Sequence, residues 1–90
     1  MKTYTVSSNG IREYLWDVQK VILHKHGTDE SFRLIDPLTY YVNTGRASVS
    51  FLHRLIETSP TRIANSLMKG GSHQEALDRI FRAIRFEPNK

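Results

Sequence analysis

Arginine is the residue type best placed to do chemistry in this sequence, and three arginines stand three residues apart near its end. At about 100° per residue, Arg79, Arg82 and Arg85 fall on one polar arc of a helix. Guanidinium forks bind phosphate, and Phe86 in the same arc offers a ring for stacking on a nucleobase. The candidate surface for nucleic acid or another anionic partner comprises Arg62, Lys69, Arg79, Arg82, Arg85 and Phe86.

The same arginines also fit a purely structural interpretation. Glu75 and Asp78 precede Arg79 and Arg82 by four residues. Opposite charges at this spacing and in this order support an exposed helix. The pattern therefore leaves two interpretations open, a phosphate-binding row and a solvated, ion-paired face.

The charge of the chain is concentrated in its second half. The formal net charge is +4 and the sequence pI is about 9.7. Residues 1–43 carry five cations and five anions, whereas residues 44–90 carry eight cations, six of them arginine, and four anions. An asymmetric basic half indicates an anionic partner, although a net charge of this size also serves solubility alone.

Catalytic and metal-binding patterns are missing from the sequence. It contains no HExxH, no GxSxG and no glycine-rich phosphate loop, and without cysteine it has neither a thiolate ligand nor a cysteine nucleophile. His24 and His26 lie about 200° apart around a helix, so their imidazoles do not share an ion unless the helix end unwinds. We expect a protein that is not an enzyme and uses no metal or cofactor.

Trp16 and Leu23 predict a second contact surface. They lie seven residues apart on the first helix, about 120–140° from Ile11, whose apolar stripe can be buried without them. A large apolar pair off the core face indicates a second contact surface, for a partner protein or a second copy of the chain. In a chain this small, however, we prefer the alternative that the C-terminal helices cover the pair.

The segment Ser59–Met68 is similar to the start of a DNA-recognition helix, with polar residues such as Arg62 and Asn65 facing outward. The preceding segment does not fit a helix-turn-helix. His53 and Glu57 stand where that motif has a small residue and a glycine-like turn residue. A capped helix packed on a sheet is therefore the preferred interpretation.

Length and composition indicate one small globular domain covering residues 1–90. The chain weighs 10.4 kDa, with 39% hydrophobic and 24% charged residues, which excludes wholly disordered and fibrous classes. No apolar run approaches the roughly 18 residues of a membrane helix, and no apolar stretch follows the N-terminal lysine as in a secretory signal. We expect a soluble, cytoplasmic protein without membrane contact.

Three segments carry strong helix signals. Gly27 ends the first, Ser59 precedes Pro60 at the start of the second, and Ser72 with Glu75 forms a capping box before the third. The predicted helices span residues 11–26, 60–68 and 73–86.

The remaining segments favour β-structure. Alternating apolar and polar residues predict strands at 2–7, 32–36 and 38–43, and an Asn-Thr-Gly turn predicts a hairpin of 38–43 with 46–51. A helix from Ser48 is the competing interpretation of the last segment. We expect an α+β fold, a small antiparallel sheet of about three to four strands with the N-terminal helix and two C-terminal helices packed on one face.

These observations favour a non-enzymatic regulatory module that binds nucleic acid through its basic C-terminal half, mainly by phosphate contacts. The alternative is a protein-binding inhibitor or adaptor of phage or mobile-element type, acting through the same arginines and Trp16. The residues do not distinguish DNA from RNA or from a protein partner, and they leave a homodimer open.

Overall fold

Helices account for all regular secondary structure in residues 2–87, the part of the chain that this computed structural model describes. There are five, α1 (Ser8–His26), α2 (Thr28–Asn43), α3 (Val49–Glu57), α4 (Pro60–Met68) and α5 (His73–Ala83). Because no strand occurs within this range, the predicted α+β fold with its antiparallel sheet is wrong. The chain forms an all-helical fold.

The two strands predicted on either side of Pro37 are one continuous helix, α2. Leu34, Ile35 and Leu38 are all buried, and they recur at helical rather than alternating spacing. A proline inside a helix removes a backbone donor and costs about 3 kcal/mol. Burial of each large aliphatic side chain contributes about 1.5–3 kcal/mol, so the buried face of α2 outweighs the local signal of Pro37.

The hairpin predicted for 38–43 with 46–51 is also wrong, and the competing helix is present as α3. Ser48 is its N-cap, and the Ser48 hydroxyl accepts a hydrogen bond from the backbone N–H of Phe51 at 3.1 Å. Phe51 and Leu55 are fully buried one turn apart. Burial on a helical period therefore decided between the two interpretations.

Residues 2–7, predicted as a strand, form an irregular segment that pairs with no strand and lies against α1. The Tyr4 hydroxyl donates to Oδ2 of Asp17 at 2.5 Å, and the Tyr4 ring meets Tyr14 edge-on with centroids 5.0 Å apart. Gly10 allows the backbone at Thr5 to lie close to the start of α1, since a Cβ on Gly10 would overlap the carbonyl oxygen of Thr5. The segment is held by side chains on α1 rather than by a β-ladder.

The three helices expected from strong signals are confirmed. Gly27 ends α1 with φ 82°, and its N–H bonds to the carbonyl of Leu23. Ser59 caps α4 ahead of Pro60, and the capping box at the start of α5 is present in both directions. The last helix ends at Ala83, three residues before the predicted end.

One cluster of buried side chains holds the helices together. The first half of α1 lies beside the second half of α2, α4 packs on α1 and α5, and α5 also packs on α2. Tyr14 on α1 is fully buried and donates its hydroxyl to the carbonyl of Thr58 at 2.7 Å, which ties α1 to the α3–α4 connection. Within residues 2–87, no helix combines the length and apolarity that crossing a membrane requires.

Candidate functional site

A basic depression of about 450 Å³ lies between α4 and α5. Four cationic side chains and one hydroxyl line it, together with a single alanine. The lining residues are Arg62, Ser66, Lys69, Arg79, Arg82 and Ala83. Four of the six residues predicted for an anionic-partner surface thus lie around one depression, and no carboxylate is among its lining residues.

Helix α4 places its polar residues on this side because its opposite face is core. Arg62, Ser66 and Lys69 follow one another at i, i+4 and i+7, the spacing of a single helical face. Ile63 and Leu67 are buried against the other helices. Since α4 packs between α1 and α5, its basic face looks out along the edge of α5.

Helix α5 contributes the other two cations in the same way. Ala76 and Ile80 are buried, which turns Arg79 and Arg82 towards the boundary with α4. Arg82 is exposed, whereas Arg79 is half-buried. The two arginines therefore have different surroundings, although the sequence presents them as equivalent.

Arg79 binds the end of α4. Its Nε donates to the carbonyl of Ser66 at 2.9 Å, and Nη2 donates to the carbonyl of Gly70. The last carbonyls of a helix have no partner within the helix, and a cation near them interacts favourably with the helix dipole. Arg79 thus closes α4 with two of its five N–H donors, and three remain for other partners.

The carboxylates expected to neutralise the arginines of α5 bond elsewhere. Oε1 of Glu75 accepts the backbone N–H of Ser72 at 2.9 Å, and this hydrogen bond lowers the pKa of the Glu75 carboxyl. Asp78 accepts a hydrogen bond from the Gln74 amide at 2.9 Å. Within residues 2–87, no carboxylate forms an ion pair with Arg62, Lys69 or Arg82.

Arg85 and Phe86 lie outside the depression because α5 has already ended. Arg85 adopts a left-handed conformation with φ 56°. Its N–H bonds to the carbonyl of Arg82, and the N–H of Phe86 bonds to that of Phe81, the hydrogen-bond pattern of a Schellman motif. The Phe86 ring packs on Phe51 with centroids 5.5 Å apart. This ring is part of the aromatic packing beneath α5.

Trp16 lines a different surface, a trough of about 730 Å³ between α1, α2, α3 and the segment before α1, with seven apolar and six polar residues in its lining. The rest of the chain leaves Trp16 51% exposed, and Leu23 is half-buried one turn beyond the trough. The expectation that the C-terminal helices cover Trp16 is therefore wrong. Contact with a partner or a second copy stays a prediction.

The histidines at the end of α1 are exposed. His24 and His26 belong to its last turn, as predicted, where positive charge meets the negative end of the helix dipole. Residues 2–87 hold no group of three or more histidine, cysteine, aspartate or glutamate side chains suited to a metal ion.

Sequence reasoning missed the pairing of α4 with α5 around one depression. It also missed the hydrogen bond that the carbonyl of Ser66 accepts from Arg79. The spacing of Arg62, Ser66 and Lys69 was visible as one helical face, but nothing in the sequence specified which helix would lie beside it. Gly70 and Gly71, both at positive φ, provide the short connection that brings α5 back along α4.

Comparison with protein-family models finds no match to this chain, and comparisons with curated proteins and with solved structures also find none.

Proposed function

We propose that the protein is a non-enzymatic regulatory module that binds nucleic acid, mainly through phosphates, at the depression between α4 and α5. The observation that carries this proposal is the convergence of Arg62, Lys69, Arg79 and Arg82 on one surface without a lining carboxylate. Like charges brought together in this way repel one another unless an anion lies between them. A phosphate backbone supplies such anions at regular spacing.

The chemistry of the depression favours the backbone over the bases. No aromatic side chain lines it, so it offers no platform on which a base can stack. Arginine forks and a lysine suit phosphate oxygens, and contacts of this kind carry no sequence information. The proposed module therefore binds different sequences alike, with strong salt dependence.

Fluorescence anisotropy with labelled duplex DNA, single-stranded DNA and RNA, each about 20 nucleotides long, tests the proposal over a salt series. Contact of four cations with phosphates predicts a log–log salt slope of about −3 to −4 on duplex DNA. The double variant Arg62→Ala/Arg82→Ala removes two arginines whose side chains form no hydrogen bond or ion pair within residues 2–87. Its slope is expected to be smaller by about one for each arginine removed.

The matched control is Arg33→Ala/Arg46→Ala, which lowers the net charge equally at exposed arginines away from the depression. It is expected to retain most of the wild-type affinity. Equal weakening by the two double variants would reduce the effect to net charge and overturn the proposed site. No binding at low salt would overturn the function itself.

The alternative function, a protein-binding inhibitor or adaptor, gains support from the exposure of Trp16 beside the trough. In that case the arginines bind carboxylates of the partner. If the protein binds no nucleic acid but does bind a partner protein through Trp16, this alternative becomes the preferred function.

A further inference from the structure

The trough beside Trp16 has an apolar floor and runs along two helices. Ile11 and Leu15 on α1 and Ile35 on α2 are buried beneath it. Leu52 on α3 lies at its edge, half-buried. Trp16, at 51% exposure, is a large hydrophobic side chain that this floor does not cover.

The dimensions of the trough suit a helix. Arg12, Trp16 and Gln19 follow at i, i+4 and i+7 on α1, and Ile35, Thr39 and Val42 do so on α2. These residues extend over about two helical turns, or roughly 10 Å, at 1.5 Å per residue. Val6, Ser7 and Ser8 line the trough beyond Arg12. A groove between two neighbouring helices accepts a third helix whose apolar residues repeat with the same spacing.

The apolar face continues past the trough in one direction. The next turn brings Leu23 onto the same face of α1 and Phe32 onto the same face of α2. Phe32 is 59% exposed. The combined face spans about three turns, enough for an amphipathic helix of roughly 12 residues.

The charged residue in the lining of the trough indicates which kind of partner the trough binds. Arg12 is the one charged residue in its lining, and it forms no ion pair within residues 2–87. A second copy of this chain bound face to face would present the same cation and no lining carboxylate. A carboxylate on the occupant complements Arg12.

We propose that this trough binds an acidic amphipathic helix of a partner protein, with Trp16 as the apolar anchor and Arg12 as the contact for a carboxylate. The apolar ridge of the helix lies on Ile11, Leu15 and Ile35 and displaces water from the exposed side of the indole ring. This surface is separate from the basic depression between α4 and α5, so the chain carries two binding surfaces of different chemistry.

A displayed library of random 16-residue peptides tests the proposal. Peptides lacking tryptophan are selected on the wild-type protein and counter-selected on Trp16→Ala. Enriched peptides are expected to combine apolar residues at i, i+3 or i+4, and i+7 with Asp or Glu. Trp16 is the only tryptophan of the chain, so its emission is expected to shift to the blue when an enriched peptide binds.

The variants separate the apolar from the charged contribution. Trp16→Ala is expected to weaken the peptide about 30-fold or more, as for the anchor residues of other interfaces. Arg12→Ala is expected to weaken it about three- to fivefold and to reduce the effect of salt. Arg33→Ala, an exposed arginine outside the trough, serves as the control and is expected to have little effect.

Several results would overturn the proposal. One is the absence of any enriched sequence, and another is an enriched set without carboxylates or with unchanged affinity for Arg12→Ala. A third is a wild-type dimer in sedimentation equilibrium that Trp16→Ala converts to a monomer, because a second copy would then occupy the trough. None of these results depends on nucleic-acid binding, which involves other residues.

Discussion

Arg79 on α5 donates a hydrogen bond from Nε to the carbonyl oxygen of Ser66 on α4, over 2.9 Å. The same guanidinium donates to the carbonyl of Gly70. These bonds fix the position of α5 along α4, and that position places the cations of the two helices around one depression. Arg79 therefore supports the candidate site as well as lining it.

Because Arg79 both lines the depression and bonds to the end of α4, we expect its removal to lower the stability of the fold. Arg79→Ala leaves two carbonyls at the end of α4 without their donors, and we expect it to lower the free energy of unfolding by about 1–3 kcal/mol. Arg82→Ala, three residues later, removes an exposed side chain without such bonds and is expected to change it by less than about 0.5 kcal/mol. Urea denaturation measures both. Equal losses would show that the hydrogen bonds of Arg79 contribute nothing.

Tyr14 connects α1 to the α3–α4 connection through its hydroxyl, and burial raises the pKa of this phenol. Tyr14→Phe removes the donor of the part-buried carbonyl of Thr58. We expect a loss of about 1–2 kcal/mol in the free energy of unfolding. Tyr40, which is half exposed, provides the control, because its hydroxyl has no hydrogen-bond partner within the described residues 2–87 and Tyr40→Phe removes only that hydroxyl. If Tyr14→Phe left the free energy of unfolding unchanged, this account would be contradicted.

Asp17 predicts how stability depends on acid. Hydrogen bonds from the Tyr4 hydroxyl, then from Lys2 and Lys20, lower the pKa of Asp17 to about 2 in the folded protein. The unfolded chain has the ordinary value of about 3.9. The contribution of Asp17 is therefore complete above about pH 5 and is lost as the pH falls towards 2.

This acid dependence is measured by urea denaturation of the wild type and of Asp17→Asn between pH 6 and pH 2. The difference in unfolding free energy between the two proteins is expected to be constant from pH 6 to about pH 5 and to shrink towards pH 2. A difference that does not change with pH would show that the Asp17 carboxylate is not specifically stabilised in the fold.

Arg85 offers an unusual opportunity for stabilisation. Its left-handed φ of 56° completes the Schellman motif of α5, and such a conformation costs a non-glycine residue about 1–2 kcal/mol. Arg85→Gly is expected to raise the melting temperature, with a net gain of about 0.5–1 kcal/mol after the greater chain entropy of glycine. The same change at Arg82, inside the helix, is expected to destabilise by about 0.8 kcal/mol. A fall in melting temperature for Arg85→Gly would contradict the assignment.

Local signals in the sequence determined three of the five helices. Ser59 with Pro60, and Ser72 with Glu75, satisfy the free backbone groups of a helix start from within a few residues. Gly27 accommodates a positive φ that ends α1. Such signals act over one turn, so they can be identified without knowledge of the fold. The concentration of positive charge in residues 44–90 is likewise a property of the sequence alone.

Tertiary packing decided the rest. The signals around Pro37 are locally those of strands, and only the core supplied by α1, α4 and α5 makes a continuous α2 favourable, since it buries Leu34, Ile35 and Leu38. The candidate site was decided in the same way. The sequence places cations on separate helices, but the packing of α5 on α4, with Arg79 bound to the end of α4, determines which of them share a surface.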